Sequence, residues 1–203
     1  MRYRIYGDTL SGNCYKIKLL LHWLELEYEW IHVDVLGGET QHESFLALNR
    51  NAKIPVMVIM DGDNETILTE SNAILNFLAT GSSLLPDEPL LRAQVLEWQF
   101  FEQYSHEPFI AVARYISKYL GLPEDRKADY ESKQEGGCKA LSVMDRHLET
   151  RCFFVNEQPT IADISLYAYT HVADEGGFSL SPYPNIQKWL RRIEQLPNYI
   201  ALG

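Results

Sequence analysis

The sequence predicts a protein of two domains, an α/β domain followed by an all-helical one. Two observations support this prediction. In the first 80 residues, apolar segments with the period of strands alternate with segments of helical periodicity. After the turn-rich stretch GSSLLPDEP, only helical periodicity remains. We therefore expect domains at residues 1–80 and 90–203, joined by a linker at residues 81–89, in a chain of 203 residues that is long enough to bury a core.

The first domain is predicted to have the element order β-α-β-α-β-β-α. Ile31, Val33 and Val35 alternate with polar residues, which is the period of a strand with one polar face. The Asp-Gly-Asp-Asn turn at 61–64, set between two apolar runs, indicates a hairpin. In chain order we expect a strand at Arg2–Tyr6, a helix from about Cys14 to Glu25, a strand at Tyr28–Val35, a short helix at Ser44–Asn49, hairpin strands at Val56–Met60 and Thr66–Leu68, and a helix that begins at Glu70 and ends before Gly81.

The second domain is predicted to contain four helices. A Gly136-Gly137 pair could kink the second of them. Thr160 and Asp163 have the spacing of a capping box, which places a helix start at Thr160. The expected helices are Leu90–Leu120, Asp125–Leu148, Thr160 to about Val172, and Pro184–Leu196.

The composition argues against several classes of function. A formal net charge of −10 disfavours a nucleic-acid-binding surface. The three cysteines, Cys14, Cys138 and Cys152, cannot all pair and lack metal-ligand spacing, so we expect no metal site and a reducing compartment. No signal-peptide pattern and no run of about 18 apolar residues is present, which predicts a cytoplasmic protein without a membrane span.

Three short segments near one end of the predicted sheet carry polar groups suited to binding. They are SGNC, which begins with Ser11, KIPV, which contains Pro55, and TES, which ends with Ser71. Each segment also has a purely structural interpretation, which local evidence alone favours. Ser11 and Ser71 can be helix caps, and Pro55 can be an edge-strand proline. A cis bond before Pro55 would instead turn the polar backbone groups of Ile54 outward.

Together, these segments on this framework resemble the cytosolic glutathione S-transferase family, in particular its bacterial, serine-type or theta-like members. The most specific matches are NRNAKIPV (Asn49–Val56), LTESNAIL (Leu68–Leu75) and TIADIS (Thr160–Ser165). Arg50 and Ala52 depart from the family pattern, which usually has proline and glycine there. The resemblance covers nearly the whole chain and implies a thioredoxin-like N-terminal domain, an all-α C-terminal domain and glutathione as co-substrate.

The resemblance also implies which residues bind glutathione. Ile54 would pair with the tripeptide backbone beside a cis Pro55, Glu70 and Ser71 would hold the γ-glutamyl group, and Lys53 would neutralise the glycyl carboxylate. His42 could assist, although a solvated surface histidine is the favoured interpretation there.

The implied chemistry is attack by the glutathione thiolate on an electrophile. In serine-type members the hydroxyl that stabilises the thiolate lies between the first strand and the first helix, as Ser11 does here. We rank Ser11 first, Asn13 as its helper and Cys14 third, because Cys14 also fits the apolar face of the helix. Tyr6 comes too early in the chain and is interpreted as structural.

The resemblance further implies a homodimer and a small hydrophobic electrophile bound between the domains, consistent with detoxification. Phe109 and Ala113, one helical turn apart, could line an apolar pocket, although core packing is the favoured interpretation. One alternative function is a glutathione-dependent disulfide reductase or peroxidase, suggested by the similarity of Ser11-Gly12-Asn13 to the Thr-x-Asn pattern of a bacterial group. An alternative from another class is a non-catalytic interaction module.

Overall fold

The computed structural model describes residues 1–203, which separate into two compact units. The first unit contains residues 1–80 together with residues 197–203, and the second contains residues 81–196. The last seven residues therefore lie with the first unit, whereas the sequence analysis assigned them to the helical domain. They are held there by hydrogen bonds from the first helix: Tyr15 Oη donates to the Ile200 carbonyl at 2.6 Å, and Lys18 Nζ donates to a Gly203 oxygen at 3.0 Å.

The first unit is built on a four-stranded sheet with the strand order β2-β1-β3-β4. Strands β1 and β2 are parallel, whereas β1–β3 and β3–β4 are antiparallel. The element order follows the prediction, with shorter β2 and α2. In chain order the elements are β1 (Arg2–Gly7), α1 (Gly12–Trp23), β2 (Tyr28–His32), a 3₁₀ turn (Glu39–Gln41), α2 (Glu43–Leu46), β3 (Val56–Asp61), β4 (Asn64–Thr69) and α3 (Ser71–Leu78).

One row of backbone pairs fixes where the candidate segments leave this sheet. Tyr6 pairs with Ile31 on one side and with Val56 on the other, and Val56 pairs in turn with Thr69. Because β3 runs against its two neighbours, the end of β1, the start of β3 and the end of β4 all reach the same edge of the sheet. The loop before α1, the segment before β3 and the start of α3 therefore converge at this edge.

The second unit is entirely helical. The predicted helix at Leu90–Leu120 is continuous in the structure, but two of its segments are π-helical turns, at Glu102–His106 and Tyr115–Tyr119. No helix of the protein is both long enough and apolar enough to cross a membrane. The α-helices are α4 (Pro89–Phe101), α5 (Glu107–Arg114), α6 (Lys127–His147), α7 (Ile161–Thr170) and α8 (Pro184–Glu194), with 3₁₀ turns at Glu124–Arg126 and Ala173–Gly176.

The paired glycines of α6 allow close packing, and they do not interrupt the helix, which runs through them. A methyl group at Gly136 would overlap the ring of Phe109, and one at Gly137 would overlap the ring of Phe178. The pair therefore does not break the helix. The two glycines leave room for two phenylalanine rings that pack directly on the helix backbone.

The capping box at the start of α7 is present, and its carboxylate links three segments of the second unit. Asp163 accepts hydrogen bonds from the Thr160 backbone N–H at 2.9 Å, the Phe154 backbone N–H at 3.1 Å and Trp189 Nε1 at 3.0 Å. Burial raises the pKa of Asp163 to about 6, and the hydrogen bonds from Thr160, Trp189 and Phe154 oppose that rise. The partners of the carboxylate are all donors, and such hydrogen bonds favour its ionised form.

Replacement of Asp163 by asparagine is expected to destabilise the protein by about 2–4 kcal/mol. The amide nitrogen would face donors that now point at a carboxylate oxygen, leaving a buried mismatch. Thermal or urea denaturation followed by circular dichroism measures the effect. Asp125→Asn, at an exposed position, is the matched control and should change stability little. Equal stability of the two variants would contradict the role assigned to Asp163.

Candidate functional site

Ser11 caps the first helix. Its backbone is extended, with φ −74° and ψ 124°, and its side-chain oxygen accepts a hydrogen bond from the Cys14 backbone N–H at 3.4 Å. The interpretation of Ser11 as a helix cap is therefore confirmed, and it leaves room for a second role. A hydroxyl has one donor hydrogen in addition to its acceptor lone pairs, so capping does not use the O–H group. Ser11 can cap α1 and still donate to an anion at the helix N-terminus.

Cys14 is a packing residue. Its side chain is fully buried, and burial raises the pKa of its thiol to about 12, although a hydrogen bond with Ser11 lowers it in part. A Cβ atom at Gly7 would lie 2.7 Å from the Cys14 sulfur, so the thiol fills the space that a side chain on the end of β1 would need. A thiol in this environment stays protonated at neutral pH and is a poor nucleophile.

The segment before β3 contains a cis peptide bond between Ile54 and Pro55, as the resemblance implied. Ile54 packs partly against the buried cluster of Val33, Phe45 and Val56. The side-chain amide of Asn49 donates to the carbonyl of Lys53 at 2.7 Å, which fixes the loop that leads into this segment. The Lys53 side chain is exposed, so its ammonium group is accessible to an anionic ligand.

Ala52 in the same loop has φ 53°, in the left-handed region where a Cβ atom is unfavourable. Ala52 stands where the family pattern usually has glycine. The backbone conformation gives the physical reason for that pattern, because glycine adopts positive φ without this penalty.

Glu70 and Ser71 begin helix α3. Glu70 is exposed and has φ 67° and ψ 115°, a conformation that costs a residue other than glycine of the order of 1–3 kcal/mol. Ser71 is 6% exposed and its hydroxyl donates to Asn13 Oδ1 at 3.1 Å. The side chain of Lys16, also in α1, donates to the same hydroxyl at 3.4 Å. Helices α1 and α3 are therefore joined at the site by a hydrogen-bonded chain of three side chains.

His42, a candidate binding residue, and Tyr6, interpreted as structural, lie outside this hydrogen-bonded chain. His42 is exposed and precedes α2 without a side-chain cap, so nothing in the structure links it to the other candidates. Tyr6 packs against the Val33, Phe45 and Val56 cluster, in agreement with a structural role.

The pair suggested to line an electrophile pocket belongs to the packing of the second unit. Ala113 is 0% exposed and lies in the core of this unit. Phe109 is half-buried and lies against Gly136 of α6. The burial of Ala113 agrees with the core interpretation, and the assignment of the pair to an electrophile pocket stays a prediction.

Two features escaped the sequence analysis. The first is the complete burial of Lys16. The sequence contained a sign of it, because the buried residues of α1 cover most of the circumference of that helix, and a lysine is unusual at a buried position. The second, the positive φ of Glu70, had no such sign, because glutamate rarely adopts that conformation.

Two family models match the chain. The model described as glutathione S-transferase, N-terminal domain, matches residues 10–80, and the model described as glutathione S-transferase, C-terminal domain, matches residues 99–197.

Curated relatives of the chain include a glutathione S-transferase and several proteins named URE2. Glutathione S-transferase GstB of Escherichia coli K12 is 28% identical over 201 residues, which is 95% of this chain and 93% of the relative. Protein URE2 of Meyerozyma guilliermondii is 26% identical over 98% of this chain and 78% of the relative. The protein of the same name from Kluyveromyces marxianus is longer, and this chain spans 58% of it.

Solved structures agree with this chain over both units. Glutathione S-transferase from Pseudomonas fluorescens Pf-5 is 60% identical, with a TM-score of 0.95 and 98% of each chain covered. A glutathione transferase from Pseudomonas putida, solved with one glutathione disulfide bound per subunit, is 26% identical. Its TM-score is 0.84, and the match covers 97% of this chain and 88% of that one.

Replacement of Ala52 by glycine is expected to stabilise the protein by roughly 0.5–1 kcal/mol, since it removes the penalty of positive φ and adds a smaller entropic cost. Urea denaturation gives the difference in the free energy of unfolding. Ala47→Gly is the control of opposite sign, because Ala47 has φ −65° and glycine there adds only the entropic cost. Destabilisation by both substitutions would contradict the strain assigned to Ala52.

Proposed function

The chain belongs to the glutathione S-transferase family, and we propose that it binds glutathione and stabilises the thiolate of the bound glutathione. The enzyme would then conjugate this glutathione to a small hydrophobic electrophile. Detoxification in a reducing cytoplasm is the role that fits this chemistry, since glutathione is available there.

The observation that carries the proposal is the common edge of the sheet. The row of backbone pairs through Tyr6, Val56 and Thr69 brings the three glutathione-related segments to one place. The hydrogen bond between Asn13 and Ser71 then joins two of those segments directly. Two helix caps and an edge-strand proline with purely structural roles would not need to lie at the same edge of the sheet.

In the proposed binding mode, Ser71 and the N-terminus of α3 hold the γ-glutamyl carboxylate, since an N-terminus offers unpaired N–H groups and a partial positive charge. Glu70 is exposed, and its carboxylate would accept from the γ-glutamyl ammonium. Ile54 would pair with the peptide backbone of glutathione beside Pro55. Lys53 would neutralise the glycyl carboxylate, and His42 is retained only as an auxiliary group at the surface.

Activation of the thiol requires only a modest free energy. An unperturbed thiol has a pKa near 8.5, so a few per cent is ionised at pH 7. Each unit of pKa depression corresponds to about 1.4 kcal/mol, which one charge-assisted hydrogen bond supplies. Ser11 would donate that bond, aided by the N-terminus of α1 and by Asn13. Cys14 has no part in this step because its own thiol is buried and neutral.

A second candidate function is reduction of glutathione mixed disulfides. In that reaction the bound thiolate attacks the glutathione-derived sulfur, forms glutathione disulfide and releases the other sulfur as a thiolate that takes up a proton. The Ser11-Gly12-Asn13 segment favours it, as does the glutathione disulfide in the related Pseudomonas putida structure. The same site residues serve both reactions.

We also propose that the protein is a homodimer. An exposed apolar stripe follows one face of α4 and the π turn after it, at intervals of four residues. It consists of Leu96, Phe100 (60% exposed) and Tyr104 (79% exposed). A stripe of this kind is typical of a surface that a second copy covers.

Ser11→Ala is expected to lower kcat/KM for conjugation of an aryl halide about 10- to 100-fold at pH 6.5, since the bound thiol loses its donor. The wild-type rate should level off near neutral pH. The rate of the variant should keep rising to about pH 8.5, so that its deficit shrinks as the pH increases. A pH–rate profile on both proteins measures the shift.

Cys14→Ala is the matched control and should leave the profile in place. Loss of turnover in Cys14→Ala with retention in Ser11→Ala would reverse the assignment. Rates with a glutathione mixed disulfide, measured on the same preparations, decide between the two reactions. Absence of glutathione binding by wild type at millimolar concentration would contradict both of them and favour the interaction module.

Phe100→Glu combined with Tyr104→Glu is expected to convert the dimer into a monomer, because charges would be buried in the interface. Sedimentation velocity should give twice the 23.4 kDa chain mass for wild type and the single mass for the variant. Val143→Glu, a charge at an exposed apolar residue of α6, should remain dimeric. A monomeric wild type, or a dimeric double variant, would refute the assigned interface.

A further inference from the structure

Lys16 is a fully buried cation immediately behind the candidate glutathione site. It lies in α1, its side chain is 0% exposed, and its Nζ is 3.4 Å from the hydroxyl oxygen of Ser71. Lysine is among the residues least often buried completely, because removing its charge from water is costly. Its position in α1 therefore calls for an electrostatic reason as well as a packing one.

The chemistry of the contact determines what the Ser71 hydroxyl can do. An ammonium group only donates, so Lys16 occupies an acceptor lone pair of Ser71 Oγ. The single hydroxyl hydrogen must then point elsewhere, and in this structure it points at Asn13 Oδ1, 3.1 Å away. Lys16 thus makes Ser71 an obligatory donor toward the side of the site that Asn13 faces.

The surroundings strengthen this effect. The contact is buried, where electrostatic interactions are stronger than in water. The chain carries a formal net charge of −10, which opposes the approach of an anion such as glutathione. A fixed cation next to the N-terminus of α3 offsets that repulsion at the place where a carboxylate would bind.

We propose that Lys16 is a positioning residue that acts through Ser71 to select ligands carrying the α-carboxylate of a γ-glutamyl group. The inference rests on the proposed glutathione site and adds the residue that makes it specific for that carboxylate. Lys16 itself stays behind Ser71 and does not touch the ligand.

The test compares two ligands on three variants by isothermal titration calorimetry. The ligands are glutathione and an analogue with 4-aminobutyryl in place of γ-glutamyl, which lacks only the α-carboxylate. Lys16→Met should weaken glutathione binding about tenfold and leave the affinity for the analogue nearly unchanged. Lys16→Arg keeps the charge and should retain more of the preference. Lys18→Met removes a lysine two residues away that contacts Gly203, and it should bind both ligands as wild type does.

The results distinguish failure of the role of Lys16 from failure of glutathione binding. Equal weakening of both ligands by Lys16→Met would mean a structural role and overturn the inference alone. Failure of wild type to bind glutathione would overturn the proposed function, and the inference with it. If Lys16→Met does not fold, Lys16→Gln provides the test, because it keeps a polar side chain and removes the charge. It should weaken glutathione binding and spare the analogue, and equal weakening of both ligands would overturn the inference.

Discussion

The backbone pairing of Tyr6 with Val56, and of Val56 with Thr69, is the constraint on which the candidate site depends. Side chains alternate between the faces of a strand, so a slip of one residue would turn the buried residues of each strand to the opposite face. Ile5 of β1, which pairs with Met57, is fully buried between the half-buried Arg4 and Tyr6, so a slip of β1 would take Ile5 off its buried face. The core of the first unit therefore determines which loops meet at the edge of the sheet, before any ligand contributes.

In the second unit, Asp163 has a comparable structural importance but a different kind of chemistry. Its carboxylate gathers donors from the start of α7, from the loop at Phe154 and from Trp189 of α8. Burial raises the pKa of Asp163 to about 6, a shift that in other proteins marks a catalytic acid. In this protein the hydrogen-bond partners of Asp163 are donors from the surrounding structure. Its raised pKa therefore reflects the cost of burying a structural carboxylate. Local geometry is what distinguishes the two cases.

Much of this architecture could be predicted from the sequence, because strand and helix periods record which residues are buried. The hairpin turn at 61–64 and the capping box at Thr160 are local signals, and both elements form. Periodicity does not record which partner covers a face. It therefore could not distinguish Ala113 in the core from Ala113 in a pocket, or show that Gly136 accommodates a phenylalanine ring. The positive φ of Glu70 likewise has no counterpart in a local pattern, because glutamate rarely adopts that conformation.

The two interpretations of Ser11 are compatible, and this follows from the hydroxyl group itself. Capping uses a lone pair of the oxygen, whereas stabilisation of a thiolate uses its hydrogen. The remaining question is which thiol receives that hydrogen bond. Cys14 would have to ionise inside the core, and burial there outweighs the help from Ser11, leaving its pKa near 12. Ser11 is only half-buried, so a thiol reaching it from outside the chain ionises with less desolvation and gains the same donor and helix N-terminus. Desolvation therefore favours a thiol supplied by the ligand over the one that the chain carries.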